Sequence, residues 1–145
     1  MKGRSPYRLT DHLKRMDFSR IHGWLKNSYW VSGISKKEVM RAIKNSSLVV
    51  GAFDRQGNQA GFLRVVSDKT RFAYLMDVFV DPAHRGKGLA KAMVRFVFKH
   101  PDFKTVKQWL LATRDAQNVY RPLGFKPLKH PKRWMARVRP WKAHS

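Results

Sequence analysis

The run Phe72-Ala73-Tyr74-Leu75-Met76-Asp77-Val78-Phe79-Val80 constrains the fold more than any other stretch, because Asp77 is its only charged residue. A strand apolar on both faces belongs at the centre of a sheet with both faces covered. Pro82 ends it, and the loop Ala83-His84-Arg85-Gly86-Lys87-Gly88 leads into residues 89–98, where apolar side chains at 89, 93, 96 and 97 fit one face of a packed helix. The order is strand, glycine loop, helix. Such a turn presents bare backbone N–H groups at the positive end of a helix dipole, which makes it a phosphate cradle. Arg85 and Lys87 flank the two glycines and add side-chain charge at the same point.

The rest of the chain supplies layers for that unit. At 145 residues and 43% hydrophobic, one domain over residues 1–145 is expected, with a basic C-terminal segment from about 126. After an extended start at 7–16, Ser19 is expected to cap a helix carrying Ile21, Trp24 and Leu25. Ser35 and Glu38 form a capping box for a second helix that buries Val39, Ala42 and Ile43. Residues 48–53 and 60–66 read as strands joined by Asp54-Arg55-Gln56-Gly57-Asn58, a hairpin signal. A strand at 106–112, a helical turn at 116–120, Pro122-Leu123-Gly124-Phe125 and one more strand at 134–138 complete the reading.

Charge and composition narrow the function classes. With 31 Lys and Arg against 9 Asp and Glu the formal charge is +22, which attracts anions and keeps a nucleic-acid or ribosome partner open. The chain has no cysteine, which removes disulfides, a thiolate nucleophile and cysteine-ligated metals. The histidines at 12, 22, 84, 100, 130 and 144 lack close metal-ligand spacing, so no metal is expected. No run approaches the roughly 20 apolar residues of a membrane helix, and Met1-Lys2-Gly3-Arg4-Ser5-Pro6 leads into polar sequence without a signal core. The expectation is a soluble, cytoplasmic protein without a membrane partner.

The glycine loop lacks the Gly-Lys-Ser or Gly-Lys-Thr of a nucleotide-hydrolysing P-loop and the third glycine of a dinucleotide fingerprint. What remains is Val80-Asp81-Pro82-Ala83-His84-Arg85-Gly86-Lys87-Gly88-Leu89-Ala90, followed one strand later by Tyr120-Arg121-Pro122-Leu123-Gly124-Phe125. Together these segments, over roughly 35–128, resemble the GNAT superfamily of acetyl-CoA-dependent N-acetyltransferases. Two positions depart from its pattern: Ala83 stands where Gln or Arg is usual, and Thr113 where asparagine is common. The resemblance implies an α+β fold, a central mixed but mostly antiparallel twisted sheet with helices on both faces, splayed at the cofactor site. It implies acetyl-CoA as cofactor, with coenzyme A as product and its pyrophosphate on Arg85, Gly86, Lys87, Gly88, Leu89 and Ala90. It also implies pantetheine pairing at Phe79 and Val80, whose amides could polarise the thioester carbonyl.

Acetyl transfer to an amine needs a proton removed from the amine and one returned to the thiolate. By resemblance Tyr120 is the acid. The only glutamate, Glu38, is spent on a cap, which leaves Asp77 as base or acceptor anchor, with a salt bridge to an arginine equally open. Asp115 reads as a cap for the helical turn. Trp24, Tyr29 and Trp30 fall where the superfamily walls its acceptor, or else serve packing. The expected function is transfer of acetyl from acetyl-CoA onto a primary amine, on a protein or a small molecule. The alternative is a basic nucleic-acid or ribosome-binding module on the same scaffold, its tail interleaving Lys126, Lys129, Lys132, Arg133, Arg137 and Arg139 with Trp134 and Trp141. Oligomeric state stays open, a dimer included.

Overall fold

A computed structural model describes residues 5–140. Five strands form one sheet in the order β1-β2-β3-β4-β5: β1 Arg8–Thr10, β2 Leu48–Phe53, β3 Gln59–Ser67, β4 Phe72–Val80 and β5 Gln108–Leu110. Neighbours are antiparallel except β4 and β5, which run parallel. The helices are α1 Phe18–Leu25, α2 Lys36–Lys44, α3 Leu89–Lys99 and α4 Gln117–Tyr120. This is the expected α+β architecture, with the expected hairpin and with β4 at its expected bounds.

Alternation along the strands sorts apolar side chains to two faces. Val49 and Phe62 join Met16, Ile21, Leu25, Val39 and Ile43 under α1 and α2. Their sequence neighbours Val50 and Leu63, with Val65, Ala73 and Leu75, pack on Leu89, Met93, Val94 and Val97 of α3 and on Tyr120 of α4. The sheet is therefore covered on both sides, as the apolar run 72–80 requires.

β4 carries one irregularity. Arg64 pairs with Met76 and Phe62 with Phe79, so β4 holds one residue more than β3 over this span. The extra residue is accommodated at Asp77, whose φ is +54°. A bulge of this kind resets the alternation. It lets Val78 and Val80 return to the α3 core after Leu75 while Phe79 faces α1.

Several local expectations change. Asp17, not Ser19, caps α1: its Oδ1 accepts from Arg20 N at 3.0 Å, while Ser19 lies inside the helix and accepts from Lys36 Nζ. Both residues can cap, and the carboxylate also meets the positive helix end. The capping box of Ser35 and Glu38 forms as expected. The extended start reduces to β1 and a 3₁₀ turn at Leu13–Arg15, and strand 106–112 to Gln108–Leu110. Residues 134–138 are not a strand. Alternation specifies a strand only where an edge and a face receive it, and Met135, 96% exposed, has neither. Trp141 and His144 lie outside the described residues.

Candidate active site

The sheet opens along β4. On one side β4 pairs with β3 from Ala73 to Val80; on the other it meets β5 only at Phe72, Ala73 and Tyr74. Past Tyr74 its second edge is unpaired by any strand among the described residues, which is the expected splay. Asp81 N donates to Ala60 O at 2.8 Å, fixing which peptide groups face β3. By alternation the peptide of Phe79 also faces β3, whereas those of Val78 and Val80 face the opening. The structure thus places the peptides of Val78 and Val80 at the opening and turns that of Phe79, expected there with Val80, toward β3.

The loop after β4 is fixed by Asp81, which sequence reading did not single out. Its carboxylate accepts from Ala83 N (2.9 Å), Trp24 Nε1 (3.2 Å) and Arg20 (3.1 Å). Burial pushes this carboxyl up, but the bonds from Ala83 N–H and Trp24, with the Arg20 charge, outweigh it and hold it below the ordinary value. Arg20, Trp24, Phe79 and Arg85 form a continuous stack: Trp24 and Phe79 centroids are 5.3 Å apart, and each guanidinium lies 5.4 Å from the adjoining ring. Trp24 therefore braces the loop. Arg85 Nε also donates to Val80 O at 3.0 Å. On the far side the Tyr7 hydroxyl and His84 Nδ1 share a hydrogen bond of 2.7 Å.

Gly86 and Gly88 have φ of +79° and +76°, the left-handed region glycine occupies without strain. Gly88 is the N-cap of α3 and supplies no side-chain cap, so the first amides of α3 are left for another acceptor. A Cβ built on either glycine meets nothing within 4 Å: the space in front of these amides is open. Arg85, Gly86, Lys87, Gly88, Leu89 and Ala90 thus lie together around an uncapped helix start, a fit for a diphosphate.

The second half of the site comes from residues far apart in sequence. Asp77 Oδ1 accepts from Trp30 Nε1 at 2.8 Å and Oδ2 from Arg64 Nε at 2.7 Å, with both charged side chains nearly buried. The salt-bridge reading left open for Asp77 is the arrangement seen. Tyr29 and Trp30 pack edge to face, and the Tyr29 hydroxyl accepts from Arg114 N at 3.0 Å while the Arg114 guanidinium lies 3.9 Å from its ring centroid. Thr113 Oγ1 accepts from Ala116 N at 3.0 Å. It thereby fixes the amide of Ala116, the N-cap of α4, which has no side-chain cap; Asp115, expected to supply one, pairs with Arg114 instead. Tyr120 is buried and is pushed up to about 12 by burial and by the neighbouring Tyr29. It lines a cavity of about 280 Å³ with Leu110, Thr113, Gln117 and Phe125.

Tyr29, Trp30, Asp77 and Tyr120 are therefore brought together, and Trp24 is placed with the loop instead. Arg64, Arg114 and the Tyr7–His84 pair were missed, since their roles arise from contacts that no local pattern announces. Asp81 had a usable signal, an Asp-Pro step at a strand end where the side chain can bond the turn's own amides. Among the described residues no group of three metal-binding side chains occurs, and no helix is long and apolar enough to cross a membrane.

A strand splayed from its neighbour, an uncapped glycine turn and a buried tyrosine are thus the features that the fold brings to this part of the sheet. The acetyltransferase (GNAT) domain family matches residues 44–127, and the chain belongs to that family. A GNAT-family protein from Xanthomonas campestris pv. campestris superposes with a TM-score of 0.89 at 39% identity, covering 95% of this chain and 96% of that one. A histone acetyltransferase of Glycine max is 31% identical over 114 residues, 77% of this chain and 45% of that protein. An uncharacterized N-acetyltransferase of Gracilaria tenuistipitata var. liui is 33% identical over 95 residues, 61% of this chain and 51% of that protein. The chain spans about half the length of these curated relatives.

Proposed function

We propose that this chain transfers an acetyl group from acetyl-CoA directly to a primary amine. The observation that carries this reading is the uncapped, left-handed Gly88 start of α3, set beside the unpaired edge of β4. Acetyl-CoA supplies an activated thioester when bound. Arg85, Gly86, Lys87, Gly88, Leu89 and Ala90 would hold its diphosphate, and the peptide groups of Val78 and Val80 its amide-bearing arm. Phe79 supports that edge by its stack with Trp24 and Arg85.

Tyr120 carries its proton at neutral pH, as a tyrosine ordinarily does, and burial disfavours the phenolate further. Its role is to donate a hydrogen bond to the sulfur leaving as coenzyme A. Complete proton transfer from so weak an acid to a thiolate would be uphill, so the departing thiolate takes its proton from solvent. Asp77 is best read as a positioning residue for the acceptor wall and not the base: one oxygen is engaged by Trp30, which it orients, and the other by Arg64. Deprotonation of the amine then falls to solvent at the open mouth.

The acceptor we favour is an amine on a protein or on a molecule with planar or apolar parts. Tyr29 and Trp30 supply the aromatic wall, and Asp77 and Asp81 are neutralised by Arg64 and Arg20, which leaves little to attract a free polyamine. The name of the Glycine max relative points to a protein acceptor in that protein.

The test is calorimetry of acetyl-CoA with wild type and Gly88→Glu, joined to a turnover screen across amine classes with mass spectrometry of products. Binding lost in the variant and an acetylated amine in the screen are expected. Unchanged affinity in Gly88→Glu would defeat the site.

A further inference from the structure

The charge is one-sided toward the C-terminus. After Asp115 the sequence has no acidic residue, yet it carries Arg121, Lys126, Lys129, Lys132, Arg133, Arg137 and Arg139 within the described residues. None of these seven makes an ion pair among the described residues, while four carboxylates, Asp77, Asp81, Asp102 and Asp115, pair with an Arg or Lys from outside this set. These seven cations have no ion-pair partner among the described residues, so the field they project is open to an external polyanion.

Within that field lies a groove of about 440 Å³, lined by Gln108, Leu128, Lys129, His130, Arg133 and Trp134. It is built from the outer edge of β5 and the 3₁₀ turn Pro131–Arg133, which directs Lys129, Arg133 and Trp134 to one concavity. Trp134 differs from the other described tryptophans. Trp24 stacks on Phe79, Trp30 packs on Tyr29, and Trp109 sits against Phe98 and Phe103. Trp134 has no aromatic partner among the described residues and is 42% exposed. A partly exposed indole that lines one groove with Lys129, Arg133, Gln108 and His130 presents a stacking face, phosphate partners and hydrogen-bonding groups together.

We propose that this groove binds single-stranded nucleic acid, one base stacking on Trp134 while Lys129, Arg133 and the basic residues around them contact flanking phosphates. Single strands satisfy all three features, because their bases are free to splay onto an aromatic platform. A duplex offers the phosphates but keeps its bases stacked, and a second copy of this chain would bring like charge against like charge. The groove uses no residue assigned above to the glycine loop or to the acceptor rim.

The experiment is fluorescence anisotropy of the full chain with a labelled 12-nucleotide oligo(U) and with a 12-base-pair duplex, across a salt series. The single strand is expected to bind more tightly than the duplex. Trp134→Ala should cost about tenfold toward the single strand, on the order of one base stacked on an aromatic ring, and Trp134→Phe should restore most of it. The double variant Lys129→Gln with Arg133→Gln should flatten the salt slope by roughly 1.4, about 0.7 for each single-strand phosphate no longer neutralised. Trp134 is half exposed, so retained acetyl-CoA binding checks that the variants are folded. Equal affinity for the duplex, an unchanged affinity in Trp134→Ala, or self-association of the chain in place of oligonucleotide binding would each overturn the proposal.

Discussion

The glycine loop at 82–90 and the rim formed by loops 27–33 and 113–116 are built by opposite means. The loop is a run of consecutive residues whose work is done by main chain, with side chains such as Asp81 and Arg85 only holding it in place. The rim is made of side chains joined across long separations: Trp30 to Asp77 spans 47 residues, and Tyr29 to Arg114 spans 85. A backbone cradle can be altered only by changing conformation, so it suits the substrate that a whole family shares. A rim of side chains can be rewritten one residue at a time without disturbing the cradle, which suits the acceptor, the partner that must vary.

This division is open to attack by substitution. The largest effect is expected at Asp77, where Asp77→Asn keeps the acceptor for Trp30 and tolerates the positive φ but leaves Arg64 buried without its counter-charge. Breaking a buried pair from one side costs about 3 kcal/mol. Thermal unfolding should show a midpoint lower by roughly 10 °C, with turnover falling as the rim loosens. A large loss of turnover at an unchanged midpoint would instead make Asp77 the base. Gly88→Glu comes next: an L-residue at this φ costs about 1–2 kcal/mol, and its carboxylate opposes the diphosphate. Acetyl-CoA affinity should drop by roughly 100-fold, about 2.7 kcal/mol, while the rim contacts persist.

Tyr120 lies between the two regions and has a smaller expected effect. Tyr120→Phe should lower kcat by about tenfold, the worth of one hydrogen bond in the transition state, and leave acetyl-CoA affinity intact. The pH dependence has a definite sign. A tyrosine raised from 10.0 to about 12 in the fold holds its proton more tightly when folded, so the stabilisation it confers is complete below pH 10 and is lost as pH rises through 12. Melting curves of wild type and Tyr120→Phe compared between pH 9 and pH 12 should converge or cross toward the alkaline end. Parallel curves would remove Tyr120 from the buried position.

The two regions also differ in how far they could be read in the chain. The bounds of β4, the loop, the start of α3 and the capping box of α2 all follow from patterns within a dozen residues, and each appears where the pattern puts it. The aromatic residues 29 and 30 and Asp77 were visible as exceptions to their surroundings, but their partners were not. Nothing near Arg64 marks it, among many arginines, as the one that faces Asp77, and the one-residue bulge that turns Asp77 toward it depends on pairing with β3. The tail failed for a related reason. Residues 134–138 alternate as a strand should, but alternation has no force without a neighbour, and β5 ends at Leu110 with no described strand on its outer edge.

The smallest change gives the sharpest test of the comparison. Tyr29→Phe deletes one hydroxyl, removing the bond from Arg114 N while leaving the ring beneath the guanidinium. The residue is exposed, so the stability cost should be under about 1 kcal/mol and the melting midpoint should barely move. Freed from loop 27–33, the 113–116 turn should hold the acceptor less firmly, and KM for the amine should rise by roughly twofold to fivefold, the equivalent of about 0.4–1 kcal/mol. KM for acetyl-CoA should not change, because no bond to the loop at 82–90 has been touched. If both constants rose together, rim and cradle would be one mechanical unit, and the acceptor could not be respecified without weakening the grip on the coenzyme.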